Sequence, residues 1–438
     1  MHVVPLLLAA ASVAAAPSGF QVRLEGPGNA TVEFLEPYKV RISVDRAAEP
    51  GPRTLHVEVP HGLPDAWPAP DVEVRDEQGR AVVVTHIGIE WAKFHFPAPA
   101  ARSAYFVQVV GPVRRPALPT EADRQVTDSV TGLRFAIPRW YDGRQAALSI
   151  RFDDSHPTHV ITAVPILREY GFRTTFMVNP GGREPGSRRR SSFEDHRAEW
   201  EACARSGDHE FANHSFHHRG AEGDEDAESE IGDAAKAIWE LFPTRSRLLA
   251  LNLGGGTAWK TSRTLRYYLD KYHLFDASSD STGMDDKYGD RVENFRRMLE
   301  QRLAAGGWLQ IHYHSIGPGL ASSEANFRAV LDIVKEHASR LWIAGMADIH
   351  KCRAEREASK LEVVSSSPRR VTLRLACASD RKLYDQPLTI EATPPESWRL
   401  DRIEIRDQEG KRVATRIADR RLRFDAAPQQ ATFTVTLR

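Results

Sequence analysis

The 438-residue chain has only three cysteines, Cys203, Cys352 and Cys377, and no CxxC pair. A set so sparse and odd in number is not a disulfide framework, and it argues against a cysteine-built zinc site. Pairing of Cys352 with Cys377 in an oxidising compartment stays open. No sign of charge is in excess, since Lys+Arg and Asp+Glu are both 59. Nucleic-acid binders usually carry a clear basic surplus, so this balance argues against nucleic acid as a partner. Beyond the N-terminus no apolar run is long enough for a transmembrane helix, and no membrane insertion is expected. The run at the start, MHVVPLLLAAASVAAA, is itself too short to span a bilayer. It suits a signal-peptide core that ends in an A-x-A-like site before Pro17. Its n-region lacks Lys and Arg and offers only His2, and no Cys follows to take a lipid anchor. The expectation is a signal peptide over 1–16 and a secreted or periplasmic protein.

What is present is ordinary globular material. Apolar residues make up 41% of the chain, and the length suggests about two to four domains. From about Phe20 to Gly111, short apolar and polar residues alternate between Pro and Gly, as in Thr54-Leu-His-Val-Glu-Val59. This is the pattern of a β-sandwich, expected over 17–112. A linker and lead-in follow over 113–143, beginning with the PVRRPALP stretch at 112–119. Over 144–352 the pattern changes to alternating strands and helices, which predicts parallel βα units in one barrel-like domain. Ala146–Phe152 reads as a strand. Pro157–Tyr170 reads as a helix closed by Gly171. Thr174–Val178 reads as the next strand.

Over 353–438 the strand-and-turn pattern returns, and the chain repeats itself. Trp67 precedes Val72-Glu-Val-Arg-Asp-Glu-Gln-Gly-Arg80 by five residues, as Trp398 precedes Ile403-Glu-Ile-Arg-Asp-Gln-Glu-Gly-Lys411. Leu55–Pro60 likewise parallels Leu388–Ala392. Any DxxG hairpin between apolar strands shares part of this pattern. The common Trp offset favours two related sandwiches flanking the barrel.

Three fragments of the middle segment carry chemistry. Arg151-Phe-Asp-Asp154 ends an apolar strand in two adjacent carboxylates, which packing does not require. At the C-terminal mouth of a βα barrel, strand-end polar residues are where catalytic groups sit. Taken alone, Asp154 or Ser155 would serve equally as a cap of the helix starting near Pro157. In Asn213-His-Ser-Phe-His-His218, His214 and His218 are four apart, which suggests one face of a helical turn and two ligands on one cation. His217 falls off that face, and a surface histidine cluster is the plain alternative. In Trp308–Gly317, His312 and His314 lie on one side of a strand, where a satisfied buried pair is the commoner situation. One carboxylate with two histidines is an N2O set suited to Zn2+ or another divalent metal with open positions. A neighbouring carboxylate acting as base and a histidine acting as acid would complete a kit for hydrolysing an amide or ester.

In this order, Phe152-Asp-Asp154, His214-Ser-x-x-His218 and His314-Ser-Ile-Gly317 resemble the polysaccharide deacetylase family, carbohydrate esterase family 4, with its NodB homology domain. The resemblance covers roughly Gln145–Ile349. It implies a distorted (β/α)7 barrel, here flanked by two all-β sandwich domains, so the fold class expected is α/β. It further implies Asp153 as catalytic base, a zinc-type metal on Asp154, His214 and His218, and His314 as catalytic acid, with Ser215 bracing the histidine turn. Gly207-Asp-His-Glu210 resembles the family's GHE lead-in with Asp208 extra.

Two motifs depart from the family. Leu251-Asn-Leu-Gly-Gly-Gly256 lacks the Arg that braces the base, so either another Arg fills in or Asp153 is held differently. Its glycines could still present a backbone N–H to an oxyanion. Phe275-Asp-Ala-Ser-Ser-Asp280 stands in for the fourth motif without its Trp, which makes Asp276 the candidate for tuning His314. Arg188-Arg-Arg190 is a solvated loop or, less simply, a grip on an anionic substrate. The expected activity is removal of N-acetyl groups from an N-acetylhexosamine-containing glycan, the carbohydrate being the partner. The alternatives are an O-acetyl ester hydrolase acting on a polysaccharide such as xylan, or a carbohydrate-binding protein with a degraded site. The sequence assigns no oligomeric state.

Overall fold

The computed structural model describes residues 19–36, 38–59, 71–87, 90–110, 118–182, 192–278, 281–318, 321–427 and 431–438. The signal-peptide reading at 1–16, Trp67, the start of the linker at 112–117 and the arginines at 188–190 lie outside the described residues. The chain divides into two compact units. The first comprises Met1–Arg114, His214–Ala234 and Asn252–Ser279, and the second Arg115–Asn213, Ala235–Leu251 and Asp280–Arg438.

In the first unit, two antiparallel sheets share one hydrophobic cluster. One runs Ala30–Glu36, Lys39–Val44, Ser103–Val110, Asp71–Asp76. The other runs Gln21–Glu25, Thr54–Glu58, Glu90–Pro97, Val84–Ile87 and then Ala258–Thr261. Alternation decides which side is buried: Val40, Ile42 and Val44 point in while Lys39, Arg41 and Ser43 point out, since successive strand residues face opposite sides. These apolar residues join Leu55, Val57, Phe96 and Val107 in one core. Ala258–Thr261 is an addition from the middle of the chain, paired with Val84–Ile87.

In the second unit, the residues after 358 form two further antiparallel sheets. One runs Ser359–Ser367, Arg370–Cys377, Ala431–Leu437, Ile403–Arg406. The other runs Arg416–Ala418, Arg421–Ala426, Leu388–Thr393 and then takes Arg134–Ala136 and Gln125–Thr127 from the lead-in. Their buried residues, Phe135, Leu373, Ile390, Ile405, Phe424 and Val435 among them, form one cluster.

The repeat read from the sequence reaches individual hydrogen bonds. Asp76 Oδ1 accepts the N–H groups of Gln78 and Arg80, and Asp407 Oδ1 those of Glu409 and Lys411, all at 2.9 Å. Gly79 and Gly410 take the left-handed conformation, with φ of 76° and 79°. Arg75 and Arg406 each donate to the carbonyl of that glycine.

The second unit also holds a curled, half-barrel parallel sheet. Its strands run Leu249–Leu251, Glu210–Asn213, Thr175–Val178, Ala146–Phe152, Trp308–Tyr313, Ser281–Gly283. All seven residues of Ala146–Phe152 are buried, as a strand covered on both faces requires. One edge of this strand is divided. Ala146–Leu148 pair with Leu341–Ile343, and Arg151 and Phe152 with Thr175 and Phe176. The predicted helix begins at Pro157, runs as a π-helical stretch over His159–Ala163 and an α-helix over Val164–Tyr170, and ends on Gly171 at φ 68°. Cys203, Cys352 and Cys377 are all free thiols, so the Cys352–Cys377 pairing does not form. Among the described residues no helix is long and apolar enough to cross a membrane.

Candidate active site

Asp153 and Asp154 follow directly on the buried Ala146–Phe152 strand. The Asp153 N–H donates to the Tyr313 carbonyl at 2.9 Å, extending the register of the two neighbouring strands by one residue. Asp154 and Ser155 then turn through the left-handed region, at φ 76° and 51°. For a residue with a Cβ this costs about 1–2 kcal/mol, a strain found mainly where function over-determines the backbone. Ser155 Oγ accepts the Asn179 N–H at 2.8 Å.

The Asp153 carboxylate is braced from its own strand. Arg151, 3% exposed, donates through one terminal guanidinium nitrogen to Asp153 Oδ2 at 3.0 Å. An arginine in a buried strand demands an anionic partner, and here the carboxylate two residues on supplies it. Residues i and i+2 share a strand face, and this was the signal available in Arg151-Phe-Asp153.

His214 and His218 come from the segment after Glu210–Asn213. The spacing suggested a helical turn, and the structure corrects this. Ser215 and His218 have φ of 63° and 56°, so the pair sits on an irregular loop. Side chains and backbone hold that loop where a helical ladder would have done so. Ser215 Oγ accepts the His218 N–H at 3.0 Å. Glu230, 1% exposed, accepts the His217 N–H at 2.9 Å and pairs with His217 Nδ1 at 2.6 Å, while its carbonyl takes the Phe216 N–H at 2.7 Å. The rings of His214 and His218 still lie 4.6 Å apart.

The tautomer follows from the second nitrogen of the ring. His214 Nδ1–H donates to the Asn252 carbonyl at 2.7 Å, leaving the Nε2 lone pair for a metal. Asn252 Oδ1 also accepts the Gly254 N–H at 2.9 Å. Gly254 has φ 75°, and a Cβ there would run into His218 Nε2. The Asn252–Gly254 turn is therefore a close cradle for the histidine pair.

Among the described residues, Asp154, His214 and His218 form the group able to hold a metal ion, with ligand atoms all within 4.8 Å of one another. One carboxylate oxygen and two imidazole nitrogens, one with its tautomer already set, fit a divalent cation.

His314 lies one residue beyond the strand Trp308–Tyr313. Its Nδ1 pairs with Asp285 Oδ2 at 2.7 Å, and its N–H donates to Asp285 Oδ1 at 3.2 Å. Asp285 is 1% exposed. The hydrogen bond that Asp285 accepts raises the His314 pKa above the ordinary imidazole value and outweighs the opposing effect of burial. Burial alone would raise Asp285, but the hydrogen bond and charge of His314 hold it below the usual carboxylate range.

The carboxylate that pairs with His314 is Asp285, where Asp276 was expected, and Asp276 Oδ1 accepts the Ser278 N–H at 2.9 Å. The signal for Asp285 was a second adjacent pair, Asp285-Asp286, beside a tight turn at Asp286–Tyr288. His312 differs from its neighbour. It is paired with Ser281 Oγ at 2.9 Å, and burial pushes its pKa down to about 4, opposite in direction to the shift at His314.

The profile of the polysaccharide deacetylase family matches residues 141–271. A gellan lyase of a Bacillus species is 20% identical over 300 residues, which is 60% of this chain and 12% of that protein. This chain therefore spans about an eighth of that curated relative. Similar solved structures include a family 4 carbohydrate esterase of Streptomyces lividans in complex with acetate. It is 19% identical, over 47% of this chain and 95% of that one, with a TM-score of 0.33. The chitin deacetylase of the fungal pathogen Colletotrichum lindemuthianum is 14% identical, over 47% and 87%, with a TM-score of 0.33. The Asp153–Asp154 and His214–His218 motifs fall inside the span, residues 141–271, that matches the polysaccharide deacetylase family.

Proposed function

We propose that the protein is a metal-dependent hydrolase that removes N-acetyl groups from an N-acetylhexosamine-containing glycan. The observation that carries this reading is the convergence of Asp154, His214 and His218 ligand atoms within 4.8 Å. The base Asp153 and the acid His314 accompany it, each with its own partner. Asp154, His214 and His218 would hold a divalent cation such as zinc, which when bound would supply Lewis acidity towards the acetyl carbonyl and the attacking water.

The chain's own residues do the proton work. Asp153 accepts a proton from the attacking water, and Arg151 holds its carboxylate oriented for that task. His314 donates a proton to the departing amine nitrogen as the C–N bond breaks. Asp285 offsets the imidazolium charge and holds Nδ1, so that Nε2 carries the mobile proton. An amine leaves poorly without that proton, which makes a histidine held above its ordinary pKa suit an amide.

The same reading includes export to the cell exterior or periplasm, supported by the apolar run at 1–16, and a (β/α)7-type barrel over 144–352 between two β-sandwich domains. The test is acetate release from chitooligosaccharides and from acetylated xylan, after chelation and after adding zinc back. Zinc-restored release from the chitooligosaccharide is expected. Release from xylan alone would make the protein an O-acetyl esterase, and no release from either would make it a binding protein.

A further inference from the structure

The acid His314 stands just past the last residue of its strand, where the ladder no longer satisfies its backbone. Its N–H is taken by Asp285. Its carbonyl is taken by another side chain, the Nε2–H of His159, which donates to the His314 oxygen. His159 is fully buried and lies in the π-helical stretch that follows the two carboxylates. It packs among Phe152 at 5.1 Å, Phe176 at 5.7 Å and Trp200 at 6.0 Å between ring centroids.

Burial, helped by the charge of His156, pushes the His159 pKa down to about 3. The ring is therefore neutral throughout the working range, and its single proton is committed to Nε2. Among the described residues its buried Nδ1 has no hydrogen-bond partner. A structure that needed only an apolar filler here would have used phenylalanine and avoided that cost.

The residue before it repeats the pattern. Thr158 Oγ1 accepts the Ile316 N–H at 3.1 Å. With the Asp153 N–H on the Tyr313 carbonyl, the segment 153–159 is stitched to 313–316 at three points. The base and the acid thus sit on two backbone segments bound to each other.

We propose that His159 is a positioning residue that fixes the main chain of His314, and with it the line along which the acid delivers its proton; this rests on the reading of His314 as the acid. The His159 Nε2–H removes a degree of freedom that the strand end would otherwise leave to His314. Misplacing a reacting group by about 1 Å can cost on the order of 100-fold in rate.

The experiment compares His159→Phe, which keeps an apolar ring but removes the donor, with His159→Gln, whose side-chain amide N–H can reach the same carbonyl. On an N-acetylated chitooligosaccharide, the Phe variant should lose roughly 10- to 100-fold in kcat with KM within about twofold. The Gln variant should recover most of the loss. In parallel, the His314 imidazole resonances, assigned by NMR in the zinc-loaded full-length protein, should broaden or split in the Phe variant and return to one sharp set in the Gln variant. Thr158→Val, with the smaller change, should show the same signs more weakly, and it decides the matter if the Phe variant does not fold.

An unchanged kcat in a folded Phe variant, or equal losses in Phe and Gln with unaltered His314 resonances, would overturn the clamp. If the unmutated protein releases no acetate from any substrate, the functional reading fails, while the NMR comparison still tests whether His159 holds His314.

Discussion

Two histidine regions of this molecule use one side chain for opposite ends, and the difference lies in what the second nitrogen touches. At His214 the Nδ1–H meets a backbone carbonyl, Asn252 O, at 2.7 Å. A neutral acceptor takes the Nδ1–H and leaves Nε2 as the nitrogen open to a ligand role. At His314 the Nδ1 meets the carboxylate of Asp285, also at 2.7 Å. A charged acceptor favours the imidazolium, the form that the proposed acid role needs. The backbone differs in the same sense. The His214–His218 loop is held in left-handed conformations by Ser215 and Glu230, which suits ligands that must not move. His314 continues from an ordinary strand.

The largest expected effect bears on the ligand side. His214→Ala or His218→Ala should each strip most of the divalent metal and nearly all activity, since a catalytic site has few protein ligands to lose. Asp153→Asn is the contrast: it should keep the metal and lose about 10^2- to 10^4-fold in rate. Elemental analysis alongside acetate release decides both, and full metal occupancy in the alanine variants would break the comparison.

On the carrier side, His314→Ala should leave metal content unchanged and lower turnover on an amide by about 10^2- to 10^4-fold. The loss on an activated aryl ester, whose phenolate leaves unaided, should be smaller. His312→Ala should be the milder of the two, because that ring is neutral and engaged with Ser281. Equal losses of His314→Ala on both substrates would remove it from the acid role.

A smaller effect is expected one step back from the ligands. Glu230→Gln weakens the anchor of the histidine loop, and outer partners of this kind are typically worth about 10- to 100-fold in metal affinity. Zinc titration against a chromophoric chelator reads it, and an unchanged affinity would show that the loop holds itself.

The finest test is of pH. Because the His314 pKa is raised, the protonated acid persists above the ordinary imidazole value and is lost as pH rises through the raised one. The stabilisation from the His314–Asp285 pair has the same sign: it is complete below the unfolded pKa and lost as pH rises through the folded pKa. Asp285→Asn should therefore move the alkaline limb of kcat to lower pH, and a limb that stays in place would assign it to another group.

Much of this architecture was legible because it is local. Apolar–polar alternation at Lys39–Val44 sets the buried face of a strand wherever that strand pairs. The Asp76 and Asp407 turns repeat because Asp, Gly and the spacing between them specify the same hydrogen bonds in both copies. Gly171 closed its helix as expected. Adjacent carboxylates, paired histidines and their order were likewise visible as residue types.

Partners distant along the chain were not legible. Asp276 looked right for His314 by motif order, but the pairing went to Asp285, because an ion pair is decided by which segments pack together. The histidine pair read as a helical turn on spacing alone, whereas Glu230 and Ser215 hold it in a loop that spacing does not encode. The sequence by itself determined which chemical groups this protein brings to its site. Only the tertiary structure decided which carbonyl or carboxylate faces each ring, since a hydrogen bond depends on distances of about 3 Å between segments that the chain order leaves free.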